Sequence, residues 1–315
     1  MSLRNQSSTG QVTEFILMGF QFPKTLETLI FVVLLVVLLL TIAGNITIII
    51  LVCLDQRLQT PMYFFLCNLS FLEIFFVLTI TPKMLVNLLS LNKTISVVAC
   101  FTQCYFYFFL GSCEVILIGI MAFDRYIAIC HPLRYTVIMN GRVCTNLMLG
   151  CWFGAFINPF PPLILMTQLS FCDSNVIDHF FCDYAPIVKL SCNDVHALLA
   201  LEGILSGFFL LSSLFVTCVS YLFIIATIVR MRSTKGRQKT FSTCASHITV
   251  ASIFYGSDIF MYSLPSHGRS RDVQQAVAVL TAVVTPLLNP FIYTLRNEKF
   301  KEALKDSLKR RKLSL

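Results

Sequence analysis

Long apolar segments divide this chain, and they limit its fold more than any other feature. A transmembrane helix needs about 20 predominantly apolar residues. Seven windows meet that requirement, near 28–54, 62–82, 95–123, 143–166, 203–229, 240–262 and 273–295. The 315 residues are 56% hydrophobic and only 13% charged, which is too apolar for a soluble fold. The sequence therefore predicts an all-α membrane protein, a seven-transmembrane helix bundle in one domain.

The distribution of Lys and Arg predicts the orientation of this bundle. Basic residues concentrate around 125–142, in 230–239 and in 296–312, and cytoplasmic loops carry such an excess. Seven spans then make 1–27 an extracellular N-terminal segment, 28–295 the transmembrane domain and 296–315 a cytoplasmic tail. We expect no cleaved signal peptide. The net charge of +8 reflects membrane topology, so no nucleic-acid partner is expected.

The cytoplasmic tail has the pattern of an amphipathic helix. Its apolar side is formed by residues that recur at helical spacing, namely Phe300, Ala303, Leu304, Ser307 and Leu308. Lysines lie around this side, as in helices that rest on an anionic membrane surface. We expect a short helix on the inner leaflet.

Two features of the outer segments indicate an oxidising extracellular environment. Asn5-Gln6-Ser7 is an acceptor triplet for N-glycosylation. Cys100, Cys172, Cys182 and Cys192 lie in the segments predicted to be outside, and four such cysteines favour two disulfides. Three pairings are possible, and the spacing does not choose among them.

The sequence contains no glycine-rich loop of the phosphate-binding kind and no Cys/His spacing typical of a metal site. We therefore expect a protein that is not an enzyme and that has no metal cofactor.

An aspartate and an arginine stand together where the third apolar segment ends, in MAFDRYIAICHPLRY (121–135). Arg125 at the cytoplasmic end of a bundle, neutralised by Asp124, can be held in one helix packing and released in another. The alternative is an arginine that only marks the membrane edge. The neighbouring motifs favour the first interpretation.

Those motifs resemble the odorant receptors of land vertebrates (class II), a branch of the rhodopsin-like G-protein-coupled receptors. Asp124-Arg125-Tyr126 and Asn289-Pro290-Phe291-Ile292-Tyr293 match the rhodopsin-like pattern, as do Gly44-Asn45 and Trp152. The narrower resemblance is carried by PMYFFLCNLS (61–70), MAFDRYIAICHPLRY, SY (220–221), KTFSTCASH (239–247), FYG (254–256) and PLLNPFIYTLRN (286–297). These blocks extend over nearly the whole chain.

The resemblance implies a receptor in the plasma membrane of sensory cilia. It would bind a small volatile odorant within the bundle and activate a heterotrimeric stimulatory, olfactory-type G protein that raises cyclic AMP. The implied activation residues are Asp124, Arg125, Tyr126, Tyr221, His247, Asn289, Pro290 and Tyr293. The implied disulfides are Cys100–Cys182 and Cys172–Cys192.

The resemblance also implies a largely apolar and aromatic ligand pocket. Its residues would be Cys104, Tyr107, Phe108, Gly111, Ser112, Glu202, Leu205, Ser206, Phe209, Tyr255, Asp258, Ile259, Tyr262, Val279 and Ala282. Tyr255 would form the pocket floor, with its hydroxyl bonded to the third helix. Several of these aromatic residues are expected to be scaffold rather than ligand contacts.

Glu73 and Glu114 lie inside the second and third apolar segments, where an ionised group is costly unless it is paired. They correspond to the sodium pocket of related receptors. Two interpretations remain open: with Asn45, Ser70 and Asn289 they hold a sodium ion, or they keep a shared or private proton. In both cases we expect these acids not to contact the odorant.

Asp258 is the residue that says most about ligand chemistry. A carboxylate at pocket height favours an amine or another hydrogen-bond donor and disfavours carboxylic acids. The alternative is that Asp258 pairs with Arg269 or Arg271, or bonds to Tyr262, and does not meet the ligand.

Two other functions fit an apolar bundle with intramembrane acids. One is a rhodopsin-like receptor for a metabolite that is not an odorant. The other is a transporter or channel, which the absence of paired half-repeats in the sequence disfavours.

Overall fold

The protein is described here by a computed structural model. It describes residues 12–20, 22–172, 174–263, 271–295 and 298–313. The helices are α1 (Lys24–Leu54), α2 (Pro61–Leu89), α3 (Val97–Cys130), α4 (Gly141–Ile157 and Phe160–Thr167), α5 (His196–Arg230), α6 (Thr234–Ser263), α7 (Arg271–Val279, Leu280–Val284 and Thr285–Leu295) and α8 (Glu298–Leu313). Short helices also occur at Gln56–Leu58, Pro132–Arg134, Tyr135–Ile138 and Tyr184–Val188.

The predicted helical membrane bundle is confirmed, and one of its helices is less apolar than the others. In the part of the chain that the structure describes, six helices are long and apolar enough by composition to cross a membrane, namely α1 to α5 and α7. The seventh expected segment forms α6, which is less apolar because it carries polar residues such as His247 and Asp258. Large apolar side chains such as Leu211 and Phe215 face outward, 63% and 69% exposed, as lipid-facing residues do.

The cytoplasmic ends of the helices extend beyond the apolar windows. α6 begins at Thr234, inside the basic segment that the sequence suggested was a loop. Ser233 precedes the helix, and its hydroxyl accepts a hydrogen bond from the Gly236 amide at 3.2 Å. A polar residue in this position satisfies an amide that the helix leaves unpaired.

Prolines and an insertion interrupt two of the helices. α4 breaks at Asn158-Pro159, and the carbonyls of Phe156 and Pro159 accept hydrogen bonds from the hydroxyls of Tyr105 and Tyr184 at 2.9 and 3.2 Å. The Pro159 carbonyl also accepts a hydrogen bond from the Leu163 amide at 3.1 Å. These bonds satisfy backbone acceptors at the break, as a membrane environment requires. α7 contains a π-helical turn at Leu280–Val284, a feature that often occurs at functional sites.

The extracellular end is covered by a small sheet that the sequence did not predict. Strand β1 (Glu14–Leu17) pairs antiparallel with β2 (Thr94–Ser96) and parallel with β3 (Val176–Ile177). Phe15 and Leu17 of β1 are fully buried. Residues 14–17 are therefore part of the folded outer surface.

Two disulfides hold the loops over this end. They join Cys100 to Cys182 and Cys172 to Cys192. This is one of the three possible pairings. The first bond connects the start of α3 to the long outer loop, and the second closes that loop on itself.

The tail helix α8 contacts the bundle. Phe300 and Ala303 are each only 2% exposed and belong to the main hydrophobic core. Lys299, Lys301 and Lys305 are exposed, and Ser307 joins them rather than the apolar side. Asp306 also pairs with Arg57 at 3.0 Å, which ties α8 to the turn between α1 and α2.

Candidate functional site

A cavity lies within the outer half of the bundle. It has a volume of about 70 Å³ that is open to water-sized molecules, which is room for several waters. The residues around it come from α2, α3, α5, α6 and α7, namely Phe76, Tyr107, Phe108, Gly111, Ser112, Glu114, Val115, Ser206, Phe209, Leu210, Phe254, Asp258 and Thr281.

About half of the pocket residues expected from the sequence line this cavity. They are Tyr107, Phe108, Gly111, Ser112, Ser206, Phe209 and Asp258. Helical spacing explains the grouping on α3, because residues three and four positions apart share one face. Asp258 comes from α6 and faces the same space, so the helix packing brings together polar groups that are far apart in the chain.

Other expected pocket residues lie elsewhere. Cys104 is fully buried in the hydrophobic cluster beneath the outer sheet. Ile259 is 39% exposed at the surface of the bundle, and Ala282 is buried in the main core, against which Val279 packs. Leu205 is half-buried outside the cavity lining. The side chain of Tyr262 is outside the described residues.

Glu202 lies near the cavity but does not line it. Its carboxylate accepts a hydrogen bond at 2.9 Å from Ser206, which does line the cavity. Asp183, in the outer loop, lies close enough to repel it. Burial, and then the charge of Glu202, raise the pKa of Asp183 to about 7.

Tyr255, expected to form the pocket floor, is not among the residues that line this cavity, whereas its neighbour Phe254 is. The Tyr255 hydroxyl bonds to Ser213 at 2.7 Å and Thr217 at 3.0 Å, both on α5. The expected bond to the third helix is thus indirect: Ser213 donates to the Val115 carbonyl of α3 at 2.5 Å. Because Val115 lines the cavity, this chain joins the cavity wall to α5 and α6.

The structure adds lining residues that the sequence analysis did not assign, namely Phe76, Glu114, Val115, Leu210, Phe254 and Thr281. Glu114, which was expected not to contact the odorant, borders this cavity. A signal was available: Tyr107, Gly111 and Glu114 lie four and three residues apart, on one helical face.

Below the cavity, Glu73 is buried among amide side chains. Its carboxylate accepts a short hydrogen bond from the side-chain amide of Asn289, and Asn45 also hydrogen-bonds to it. Ser70 is buried one helical turn away on α2. In the described part of the chain, Asn45 Oδ1, Asn289 Oδ1 and Glu114 Oε1 have no hydrogen-bond donor. Several acceptor oxygens therefore lie between α1, α2, α3 and α7.

At the cytoplasmic end, Asp124 holds Arg125 in a short ion pair. Asp124 is 1% exposed in its side chain and also accepts a hydrogen bond from Tyr135 at 2.7 Å. Tyr126 bonds instead to His131 at 3.2 Å. Arg125 is thus restrained within α3 and its following turn.

Two further contacts join pairs of helices, α5 to α6 and α1 to α7. The Tyr221 hydroxyl and His247 Nδ1 are 2.8 Å apart, which joins α5 to α6. A methyl group at Gly44 would lie 3.3 Å from Pro290, so α1 and α7 approach closely there. The side chain of Tyr293 and the acceptor Asn5 are outside the described residues.

Sequence comparisons agree with this architecture. The family described as olfactory receptor matches residues 33–311. Human olfactory receptor 6J1 is 49% identical over 298 residues, which cover 95% of this chain and 86% of the relative. Human olfactory receptor 6S1 is 49% identical over 299 residues, 95% of this chain and 90% of the relative. Human olfactory receptor 6T1 is 47% identical over 304 residues, 96% and 94% of the two chains.

The resemblance inferred from the motifs is confirmed. The chain belongs to the olfactory receptor family: it is an odorant G-protein-coupled receptor that passes through the plasma membrane several times, and not an enzyme.

Proposed function

We propose that a small odorant binds in the cavity between α3, α5, α6 and α7, and that binding activates a stimulatory, olfactory-type G protein that raises cyclic AMP. The main support is a chain of hydrogen bonds that links the cavity wall on α3 to α5 and α6. Val115 lines the cavity, and its carbonyl accepts from Ser213, which bonds to Tyr255 of α6.

This chain gives the ligand a physical route to α6. A guest that packs against Val115, Leu210 and Phe254 changes the spacing of α3, α5 and α6 at the level of the Tyr255 hydroxyl. A ligand shifts the equilibrium only by its difference in affinity between the two packings. The packing in which these walls close on the odorant is therefore the favoured one.

The contacts at the cytoplasmic end are those that such a shift would break. α6 is joined to α5 there by the Tyr221–His247 hydrogen bond. Outward movement of α6 separates this pair and opens a space beside Arg125 for the G protein. Arg125 then exchanges its pairing with Asp124 for a contact with the partner.

We further propose that Glu73 and Glu114 hold a sodium ion or a shared proton in the inactive packing. Carboxylate and amide oxygens suit a hard cation, and Asn45, Ser70 and Asn289 surround Glu73 with such atoms. In the described part of the chain, no three His, Cys, Asp or Glu side chains converge as a transition-metal site would require. The occupant would tie α2, α3 and α7 together until activation.

A cavity-filling substitution tests the location of the ligand. Gly111 lines the cavity, and a methyl group there would meet only Phe76 at 3.9 Å, so Gly111→Leu projects into free volume. Gly150→Leu is the matched control, because nothing lies within 4 Å of its Cβ position. Both variants and the parent would be screened for cyclic AMP with amines, alcohols, aldehydes and acids.

We expect Gly111→Leu to lose the response to the parent's best odorant by about tenfold or more, while Gly150→Leu keeps it at equal surface expression. Purified parent receptor should also accelerate nucleotide exchange on a stimulatory heterotrimer. An equal response from both glycine variants would place the ligand elsewhere. Exchange on no heterotrimer with any compound would refute the proposed coupling.

A further inference from the structure

Two carboxylates border the same small cavity from different helices. Glu114 comes from α3 and Asp258 from α6, and they lie close enough to interact electrostatically. Glu114 is 4% exposed, and its Oε1 has no hydrogen-bond donor in the described part of the protein. A buried acceptor without a donor is costly, so a ligand that donates a hydrogen bond would relieve it.

Several hydroxyl groups around the cavity already have acceptors within the protein, and the Ser112 hydroxyl accepts a hydrogen bond from the Asn158 side chain at 2.8 Å. Ser206 donates to Glu202 at 2.9 Å. Thr281 donates to the Val277 and Ala278 carbonyls of its own helix at 3.1 and 3.2 Å, and the Tyr107 hydroxyl hydrogen-bonds to Thr281. The cavity therefore offers a ligand mainly acceptor atoms, which disfavours carboxylic acids and carbonyl compounds as its preferred guests.

Among the described residues that line the cavity, none is a lysine or an arginine. Arg269 and the side chain of Arg271, the candidate partners of Asp258, are outside the described residues. Two carboxylates in a poorly hydrated space cannot both be charged without a compensating cation or proton. A cationic ligand supplies this compensation.

The remaining walls also suit a cation on a short apolar body. Phe76, Phe108, Phe209 and Phe254 present aromatic rings to the space, and ring faces attract ammonium groups. The volume of about 70 Å³ limits the guest to a compact molecule. An ammonium group with a short alkyl chain matches both the acceptors and the size.

We propose that the cavity binds a small aliphatic amine whose ammonium group lies between Glu114 and Asp258. This inference rests on the proposed odorant site and names its ligand class. Because Glu114 also faces Glu73, the ammonium group displaces the sodium ion or proton that these two acids hold. Amine binding and sodium binding are then competitive.

The test uses the full receptor in membranes, with nucleotide exchange on a stimulatory heterotrimer as the readout and butylamine as the probe. Butanol, butanal and butyric acid are the neutral and acidic comparisons. The variants are Glu114→Gln and Asp258→Asn, and Asp194→Asn is the control, since that acid lies on the exposed loop before α5. R271Q tests the alternative partner of Asp258.

We expect the parent to respond to butylamine, with potency reduced about tenfold or more in Glu114→Gln and in Asp258→Asn and unchanged in Asp194→Asn and R271Q. Replacing potassium chloride by sodium chloride should weaken butylamine more than butanol, because sodium opposes activation by any agonist and, in addition, competes directly with the ammonium group. If Glu114→Gln does not reach the membrane, Asp258→Asn still decides the result.

The inference is overturned if the parent answers butanol or butanal but not butylamine, or if butylamine is equally potent on Asp258→Asn. In that case exchange with the neutral compounds still supports the proposed function. Exchange with none of the four compounds, and none with the broader odorant panel, overturns the proposed function instead.

Discussion

The two ends of the bundle are held by different kinds of interaction. At the outer end, two disulfides and a three-stranded sheet cover a cluster that includes the fully buried Phe15 and Leu17. At the inner end, the ties are hydrogen bonds and an ion pair, which join Asp124 to Arg125 and Tyr135, and Tyr221 to His247.

This difference gives the outer end, where the proposed ligand cavity lies, a more rigid structure than the inner end, where the proposed signalling contacts lie. The outer cap constrains the walls of the odorant cavity by covalent bonds and a packed core, which do not rearrange on a signalling time scale. The inner ties each contribute about 1 kcal/mol net, so a small ligand with modest affinity can shift them. Four sets of substitutions test this difference between the two ends.

The largest effect is expected at the outer cap. Cys100→Ser removes a crosslink between residues 82 positions apart, whereas Cys172→Ser opens a loop of only 20. Loss of such a native disulfide costs about 2–5 kcal/mol, and loop closure makes the longer one worth about 1 kcal/mol more. Thermal unfolding and surface expression should rank Cys100→Ser lowest, Cys172→Ser next, and Cys218→Ser, at a free exposed cysteine, near the parent. The reverse ranking of the first two would contradict the loop-closure argument.

The next effect concerns the close contact between α3 and α5. A methyl group at Gly119 of α3 would lie 2.7 Å from Ser213 Oγ of α5, too close to be accommodated without movement. Gly119→Ala should therefore cost about 1–3 kcal/mol and weaken odorant signalling, because Ser213 carries the link to Tyr255.

Gly150→Ala is the control for this substitution. It meets no atom within 4 Å and should be neutral or stabilise α4 by about 0.5–1 kcal/mol. Thermal unfolding and cyclic AMP would be measured on both variants. Equal behaviour of the two would show that α3 and α5 tolerate separation.

A smaller effect is expected at the inner end. Tyr135→Phe removes the 2.7 Å hydrogen bond to Asp124, about 1 kcal/mol of restraint on the inactive packing. Basal cyclic AMP should rise about fivefold, with little change in unfolding temperature. Tyr126→Phe, which loses only an exposed bond to His131, should raise it less. A fall in basal activity on Tyr135→Phe would mean that this bond supports the active packing.

The smallest effect is a pH dependence of the outer cap. The pKa of Asp183 is raised to about 7 by burial and by Glu202, while Lys189 and the Tyr184 amide act in the opposite direction. Between its ordinary pKa of 3.8 and about 7, the folded protein holds a proton that the unfolded chain has released. Stability therefore falls as pH rises through that window.

We expect the difference in unfolding temperature between Asp183→Asn and the parent to grow by a few degrees from pH 6 to pH 8, in favour of the variant. Asp194→Asn is the control acid on the same outer surface. A constant difference across this range would contradict the assignment to Asp183.

The helices and the family could be predicted from the sequence. Apolar runs of about 20 residues determine membrane-spanning helices by themselves, because hydrocarbon accepts no unpaired backbone group. The motifs around Asp124-Arg125 and Asn289-Pro290 were sufficient to identify the family. Helical spacing alone also places Tyr107, Gly111 and Glu114 on one face of α3, and all three line the cavity.

The outer sheet was not predictable, since β1 and its partners lie in three different parts of the chain and each strand is two to four residues long. Such short segments have no distinctive period, and only pairing defines them. Ile259 shows a similar limit: it is one residue from Asp258, and the rotation of α6 decides which of the two faces the cavity.

Local composition and short motifs were enough to predict the helical membrane bundle and the family, because neither depends on how the helices pack. Tertiary packing was needed to show that Glu114 and Asp258 border one cavity and that Tyr255 is linked to α3 through Ser213. Distances between helices depend on how side chains of all neighbours pack, and that information is not local to any segment of the chain.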